Sequence, residues 1–201
     1  MNRVFIFCHG ILSNPADSRV WDHRAVSWIN RNTEWKGDNL PYVCGPISRA
    51  WHQGERIERL ADLLTYYAGW DITLAAHSNG CDIAVNALRQ SGAVIHNLNL
   101  FNAATRPDWQ SNGMNDVMKS GRCGKVAVYC AGQDMALAFV HDNPFARLLG
   151  YGCLGVHGPR RVSALLAGRV ATVRADPWTG FGHSTCWSEA NFDSTMKLIT
   201  A

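Results

Sequence analysis

Residues 72–85 read Ile72-Thr73-Leu74-Ala75-Ala76-His77-Ser78-Asn79-Gly80-Cys81-Asp82-Ile83-Ala84-Val85. The first five are a short apolar run of the kind that forms a buried parallel strand. From about residue 79 to 90 the apolar side chains Ile83, Ala84, Ala87 and Leu88 recur at helical spacing, and Gly92 follows as a stop. A buried strand therefore passes into a helix through one serine, with Ala76 and Gly80 two residues to either side. Such a turn forces the serine into a sparsely allowed backbone conformation, and small residues at 76 and 80 let strand and helix approach closely. The hydroxyl of Ser78 is expected to project from the C-terminal edge of a sheet.

The same alternation extends in both directions. Short β-rich apolar runs at 4–8, 125–131 and 169–175 predict three more buried strands, with 93–101 a weaker candidate and 41–44 either strand or loop. Between them, Trp21, Ala25, Trp28 and Ile29 share a helical face after a cap at Asp17 or Ser18. Ile57, Leu60, Ala61, Leu64 and Ala68 make a second apolar stripe that Gly69 ends, and Phe192, Thr195, Met196 and Ile199 make a closing one. Strand alternating with helix implies an α/β architecture: a doubly wound, mostly parallel sheet with helices on both faces.

The chain has 201 residues, 47% hydrophobic and 17% charged, enough for one well-buried core and too few for two ordinary domains, so a single domain over residues 1–201 is expected. With 19 basic and 16 acidic residues spread along the chain, the net charge of +3 offers no block for nucleic-acid or anionic-membrane binding. No apolar run approaches the roughly 20 residues that span a bilayer. Residues 4–8 are too short for a signal-peptide core, so a soluble, cytoplasmic protein with no integral membrane association is expected. Seven cysteines, an odd number with no CxxC pair, lie mostly in apolar runs and read as small hydrophobes in a reducing compartment.

The Ala76-His77-Ser78-Asn79-Gly80 pentad in its strand-turn-helix setting resembles the nucleophile elbow of the α/β-hydrolase family of serine hydrolases, in a form common among lipases and esterases. A serine hydroxyl is nearly inert alone and needs a histidine to take its proton and a carboxylate to orient that histidine. The family order, serine then acid then histidine, implies Asp134, after the run at 125–131, as the acid. It implies His183, beyond the last strand, as the base; Asp176 is the rival acid. The resemblance also implies an oxyanion hole from the backbone N–H groups of Asn79 and of Ile11, the latter because Phe7-Cys8-His9-Gly10-Ile11 matches the family's His-Gly signature. It implies a serine esterase acting on a carboxylic ester or thioester through an acyl-enzyme, with a small-molecule or acyl-ester substrate and no metal or organic cofactor. An amidase or peptidase would use the same catalytic triad, and a non-catalytic binding module on the same fold is the alternative from another class.

Other features have plainer readings. His9 and Gly10 are expected to brace and turn the loop beside the site, and His77 to pack away from the hydroxyl. His96, in a strand, is expected in the core; His23, His52, His141 and His157 read as surface or loop residues, since no HExxH or Cys/His zinc spacing occurs. Gly150-Tyr151-Gly152-Cys153-Leu154-Gly155 fits a dinucleotide-binding string but follows no strand, and reads as a flexible loop. Trp178 and Trp187, flanking His183, are candidates for lining the site. The segment 102–124, with Trp109, Met114 and Met118, leaves room for little or no lid, and 135–168, with Phe139, Phe145, Leu148, Leu149 and Leu154, reads as a helix on the sheet in preference to a pocket wall.

Overall fold

All five residues of Val4-Phe5-Ile6-Phe7-Cys8 are fully buried, and the two-residue pleat divides them between two cores. Val4, Ile6 and Cys8 join one apolar cluster; Phe5 and Phe7 join another on the opposite face. The computed structural model describes residues 1–11, 20–45, 48–130, 134, 136–137, 143, 151–173 and 182–201. Within them run β1 (Arg3–Cys8), α1 (Trp21–Asn32), β2 (Lys36–Asn39), α2 (Ser48–Tyr66), β3 (Asp71–His77) and α3 (Asn79–Gln90). After these come β4 (Ile95–Phe101), α4 (Met114–Lys119), β5 (Cys123–Tyr129), α5 (Leu154–His157), β6 (Val170–Val173) and α6 (Phe192–Thr200).

The six strands form one parallel sheet in the order β2-β1-β3-β4-β5-β6. Helices α2, α3 and α4 supply Leu60, Leu64, Ile83, Leu88, Val117 and Met118 to one face, where the strands offer Ile72, Leu74, Leu98, Leu100, Val126 and Val128. Fully burying side chains such as Ile83 and Leu88 stabilises the fold by about 2 kcal/mol each. On the other face α1 and α6 place Ala25, Ile29, Phe192 and Met196 against Phe5, Phe7, Phe101 and Tyr129. The strand order reverses between β1 and β3, and in such sheets the crevice at the strands' carboxyl ends beside that point is where ligands bind.

The structure departs from the sequence expectations at several places, each for a tertiary reason. Of the two readings for residues 41–44 the structure takes the loop, and the edge strand is the polar Lys36–Asn39, which the sequence did not indicate, paired in register with β1 from Val4↔Lys36 to Phe7↔Asn39. Gly, Asp and Asn are poor strand formers, and hydrogen bonding to β1 overrides that preference. Helix α1 is capped by Val20 with no side-chain cap bond, not by Asp17 or Ser18, which lie outside the described residues. His96 is not a core residue: its strand turns it outward, 62% exposed and 3.9 Å from Asp71. The 102–124 segment is not among these departures: Trp109, Met114 and Met118 are fully buried in the larger core.

Gly152 and Gly155 are not part of a loose loop. Their N–H groups donate to the Ala104 and Ala103 carbonyls at 3.1 and 2.9 Å, and Leu154 N–H donates to Thr105 at 3.1 Å. A Cβ on Gly152 would fall 2.2 Å from the Thr105 oxygen, and one on Gly155 2.3 Å from the Ala103 nitrogen, so only glycine permits this backbone-on-backbone contact. Gly150, His141, Phe139, Phe145, Leu148 and Leu149 lie outside the described residues, while Leu154 is fully buried.

All seven cysteines are buried, and none is in a disulfide. Burial pushes the Cys8 and Cys123 thiols up to about 12 and the Cys81 thiol well up, so these side chains pack as neutral apolar groups. Among the described residues no helix is long and apolar enough to cross a membrane.

Candidate active site

Ser78 sits at φ 56°, ψ −122°, between the last residue of β3 and the first of α3. A non-glycine residue there stores about 1–3 kcal/mol of strain and persists only where its surroundings over-determine it. Here they do: the Ser78 N–H donates to Phe101 at 3.0 Å, and its carbonyl accepts the N–H groups of Cys81 and Ala104, each at 3.1 Å. A Cβ on Gly80 would lie 2.3 Å from the Cys8 carbonyl oxygen, so β1 crosses directly against the first turn of α3. A Cβ on Gly10 would lie 2.7 Å from Ser78 Cβ and 3.2 Å from its Oγ, which puts the loop after β1 over the serine hydroxyl.

That loop is braced by His9, 1% exposed. Its ring stacks on Tyr42 with centroids 4.0 Å apart, and its nitrogens lie 2.7 Å from the Gly10 oxygen and 2.9 Å from the Tyr42 oxygen. The Tyr42 hydroxyl donates to the His9 carbonyl. Burial pushes the His9 imidazole down, against the opposing pull of the two carbonyls that face its nitrogens, and the ring acts as a strut between them. Ile11 follows at the surface of the larger core. Asn79, the first residue of α3, is fully buried, and its N–H belongs to the helix-end donors that have no intrahelical acceptor. Its side chain is engaged elsewhere, exchanging hydrogen bonds with Gln53 at 3.2 and 3.3 Å. Gln53 also donates to Asp82 at 3.0 Å, and the Thr105 hydroxyl donates to the other Asp82 oxygen at 2.9 Å. This network ties α2 to the start of α3.

Asp134 and His183, 49 residues apart in the chain, meet: the His183 Nδ1–H donates to Asp134 Oδ2 at 2.6 Å. The Asp134 side chain is fully buried and its Oδ1 accepts the Leu137 N–H at 3.0 Å, while the His183 side chain is 22% exposed. With Nδ1 committed as a donor, the lone pair of a neutral His183 ring is on Nε2. No hydrogen bond joins Ser78 Oγ to His183; catalytic bonds of this kind often tighten only when substrate is present. Asp176 and Trp178 lie outside the described residues. Trp187 corrects the expectation of a site wall: it is 4% exposed and packs in the second core, stacked on Trp21 with ring centroids 4.0 Å apart.

Two residues that the sequence reading left out of the site converge on it. His77 Nε2–H donates to the His183 carbonyl at 2.8 Å, and the Asn102 amide donates to the same oxygen. An asparagine just past a strand, at φ 43°, is the only local signal for the second; nothing in the sequence pairs either with residue 183. Burial, aided by the neighbouring His183, pushes the His77 imidazole down to about 3. The folded ring stays neutral while the unfolded chain binds a proton below its ordinary value of about 6.5, so this group's contribution to stability falls as pH drops from about 6.5 toward 3. Between pH 6 and 4 the unfolding free energy of the native protein should therefore fall by about 2 kcal/mol more than that of His77→Gln. Urea titrations at the two pH values check this, and equal falls would refute it.

No protein-family model matches the chain, and no curated protein sequence does. Its fold is similar to that of several solved structures. The thioesterase domain from the curacin biosynthetic pathway aligns with a TM-score of 0.58 at 10% identity, covering 100% of this chain and 91% of that one. Alpha/beta hydrolase domain-containing protein 10 from mouse aligns at 0.57 with 14% identity over 98% and 88%. The N-formylmaleamic acid deformylase from Pseudomonas putida S16 aligns at 0.55 with 11% identity over 98% and 92%. Likeness at such identities speaks for architecture alone, and with both partners aligned over nearly their whole length the architecture carried by this chain is the α/β-hydrolase fold.

Proposed function

We propose that the protein is a serine hydrolase that cleaves a carboxylic ester or thioester through an acyl-enzyme. The observation that carries the reading is the Asp134–His183 pair, 2.6 Å long with its carboxylate buried, in a fold that holds Ser78 at φ 56°. Ser78 Oγ attacks the acyl carbon while its proton passes to His183 Nε2, and the carbonyl electron pair moves onto oxygen. Asp134 holds the ring in the productive tautomer and stabilises the imidazolium. The backbone N–H groups of Asn79 and Ile11 are the donors for the oxyanion. Collapse of the tetrahedral adduct breaks the bond to the alcohol or thiol, which takes the proton from His183. Water then attacks the acyl-enzyme by the same route, releasing the acid and restoring Ser78. Gly10, against the Ser78 hydroxyl, leaves that space open to the acyl group.

A fluorophosphonate probe tests this directly. The native protein should label stoichiometrically on the peptide containing Ser78; Ser78→Ala should take no label, and His183→Ala should react slower by on the order of 10³-fold. A folded native protein that takes no label would turn the reading toward a non-catalytic binding module. Because a thioesterase domain and a deformylase share the fold, the substrate panel should include matched esters, thioesters and amides of one acyl group. Ester or thioester turnover above that of the amide is expected; the reverse order would identify an amidase.

A further inference from the structure

Two buried side chains outside the proposed chemistry hold the main chain of residue 183. His77 is 4% and Asn102 1% exposed, and both donate to the His183 carbonyl oxygen. They sit at the C-terminal ends of adjacent strands, His77 closing β3 and Asn102 following β4, which are paired in register up to His77↔Phe101. His77 is also peptide-bonded to Ser78. Asn102 adopts a left-handed φ of 43°, and among the described residues its buried Oδ1 has no partner and its side-chain amide makes one bond, to His183. A strained backbone and an unsatisfied acceptor are both tolerated to present that one donor.

His183 needs such a hold. It follows Gly182, at φ 126°, and precedes the short 3-10 turn Thr185–Trp187, so among the described residues no regular element contains it. The bond from Nδ1 to Asp134 sets one end of the ring, and the Thr185 N–H and hydroxyl close a turn across the residue onto the Gly182 carbonyl at 3.3 and 3.0 Å; neither contact joins it to a strand end. Packing fixes the holder in turn: the edge of Trp21 lies against His77 at 6.0 Å, and Trp21 stacks on Trp187, four residues beyond His183. Burial keeps the His77 ring neutral, and a neutral ring whose Nε2 faces a carbonyl must carry its proton on that nitrogen.

We infer that His77 and Asn102 are positioning residues that clamp the His183 backbone to the ends of β3 and β4, keeping its Nε2 in reach of the Ser78 hydroxyl. The inference rests on the proposed roles of Ser78, Asp134 and His183. The test compares the native protein with His77→Phe, which keeps ring volume and removes the donor, His77→Gln, which restores one, and Asn102→Gly, where glycine accepts φ 43° without strain. Each is checked for fold by circular dichroism, then assayed on an activated short-chain ester and with the fluorophosphonate probe well below its own Tm. His77→Phe and Asn102→Gly should each lower kcat by about 100-fold, the cost of a misplacement of ~1 Å, with KM nearly unchanged. His77→Gln should recover most of the loss.

Native-like kcat in folded His77→Phe and Asn102→Gly would overturn the clamp, as would losses confined to KM or Tm. If His77→Phe does not fold, Asn102→Gly decides alone. Should the native protein itself neither label nor turn over ester, the hydrolase reading falls and the clamp with it. Labelling at Ser78 with unaffected variants removes the clamp alone.

Discussion

Ser78→Ala should lower kcat on an activated ester by on the order of 10⁴–10⁶-fold, and Asp134→Asn by about 10⁴-fold, with the fold of both variants unchanged. The two losses have different origins. In the proposed mechanism alanine removes the group that forms the acyl-enzyme, leaving the oxyanion donors to act on water attack alone. Asparagine is nearly isosteric and can still accept the Leu137 N–H, now 3.0 Å from Asp134 Oδ1. Toward His183, however, it can present an N–H where the carboxylate presented an oxygen, which drives the ring to the tautomer with its proton on Nε2. The base then has no lone pair facing the serine. Steady-state kinetics with the native and variant proteins check both values. Asp134→Asn with native kcat would remove Asp134 from the mechanism and return attention to Asp176.

Gly80→Ala should be the most damaging single methyl in the site. The new Cβ would lie 2.3 Å from the Cys8 carbonyl oxygen and 2.4 Å from that of His9, and both obstacles are backbone with no rotamer to yield. Relief requires β1 and α3 to separate, which opens the core around Cys8 and Cys81. A loss of about 3 kcal/mol is expected, at the upper end of overpacking costs. For a chain of this length that corresponds to a Tm lower by roughly 6–12 °C. The same shift moves the His9–Ile11 loop away from Ser78, so fluorophosphonate labelling should slow even below the new Tm. Gly92→Ala is the control: nothing lies within 4 Å of its Cβ, and its effect should stay within about 0.5 kcal/mol. A Gly80→Ala protein that melts with the native one would mean that the turn is looser than the contacts imply.

Periodicity sufficed for the parts of the fold whose signals are local. The buried strands β1, β3 and β5, the helices α1, α2, α3 and α6, and the strand-serine-helix turn at Ser78 each follow from apolar spacing within about a dozen residues, because burial on one face or both leaves a pattern in the chain itself. The edge strand β2 left none, since Lys36-Gly37-Asp38-Asn39 acquires strand geometry only by pairing with β1. The same applies to the outward turn of His96 and to the glycines at 152 and 155, whose purpose is a backbone contact with residues 103–105 nearly fifty positions earlier.

The candidate site divides along the same line. Ser78, Asp134 and His183 are candidates from the sequence because they follow β3, β5 and β6 in a recognisable order; that Asp134 and His183 lie 2.6 Å apart required the sheet to bring two distant loops together. Trp187, four residues beyond His183 in sequence, went instead to the core, because the 3-10 turn at Thr185–Trp187 carries its indole onto Trp21 and Phe101. His77 lies inside the Ala76–Gly80 pentad at a position the pattern leaves open, and Asn102 belongs to no motif. Their hydrogen bonds to residue 183 span 106 and 81 positions, and a contact across that separation is decided by tertiary packing, which a linear pattern of residue types does not encode.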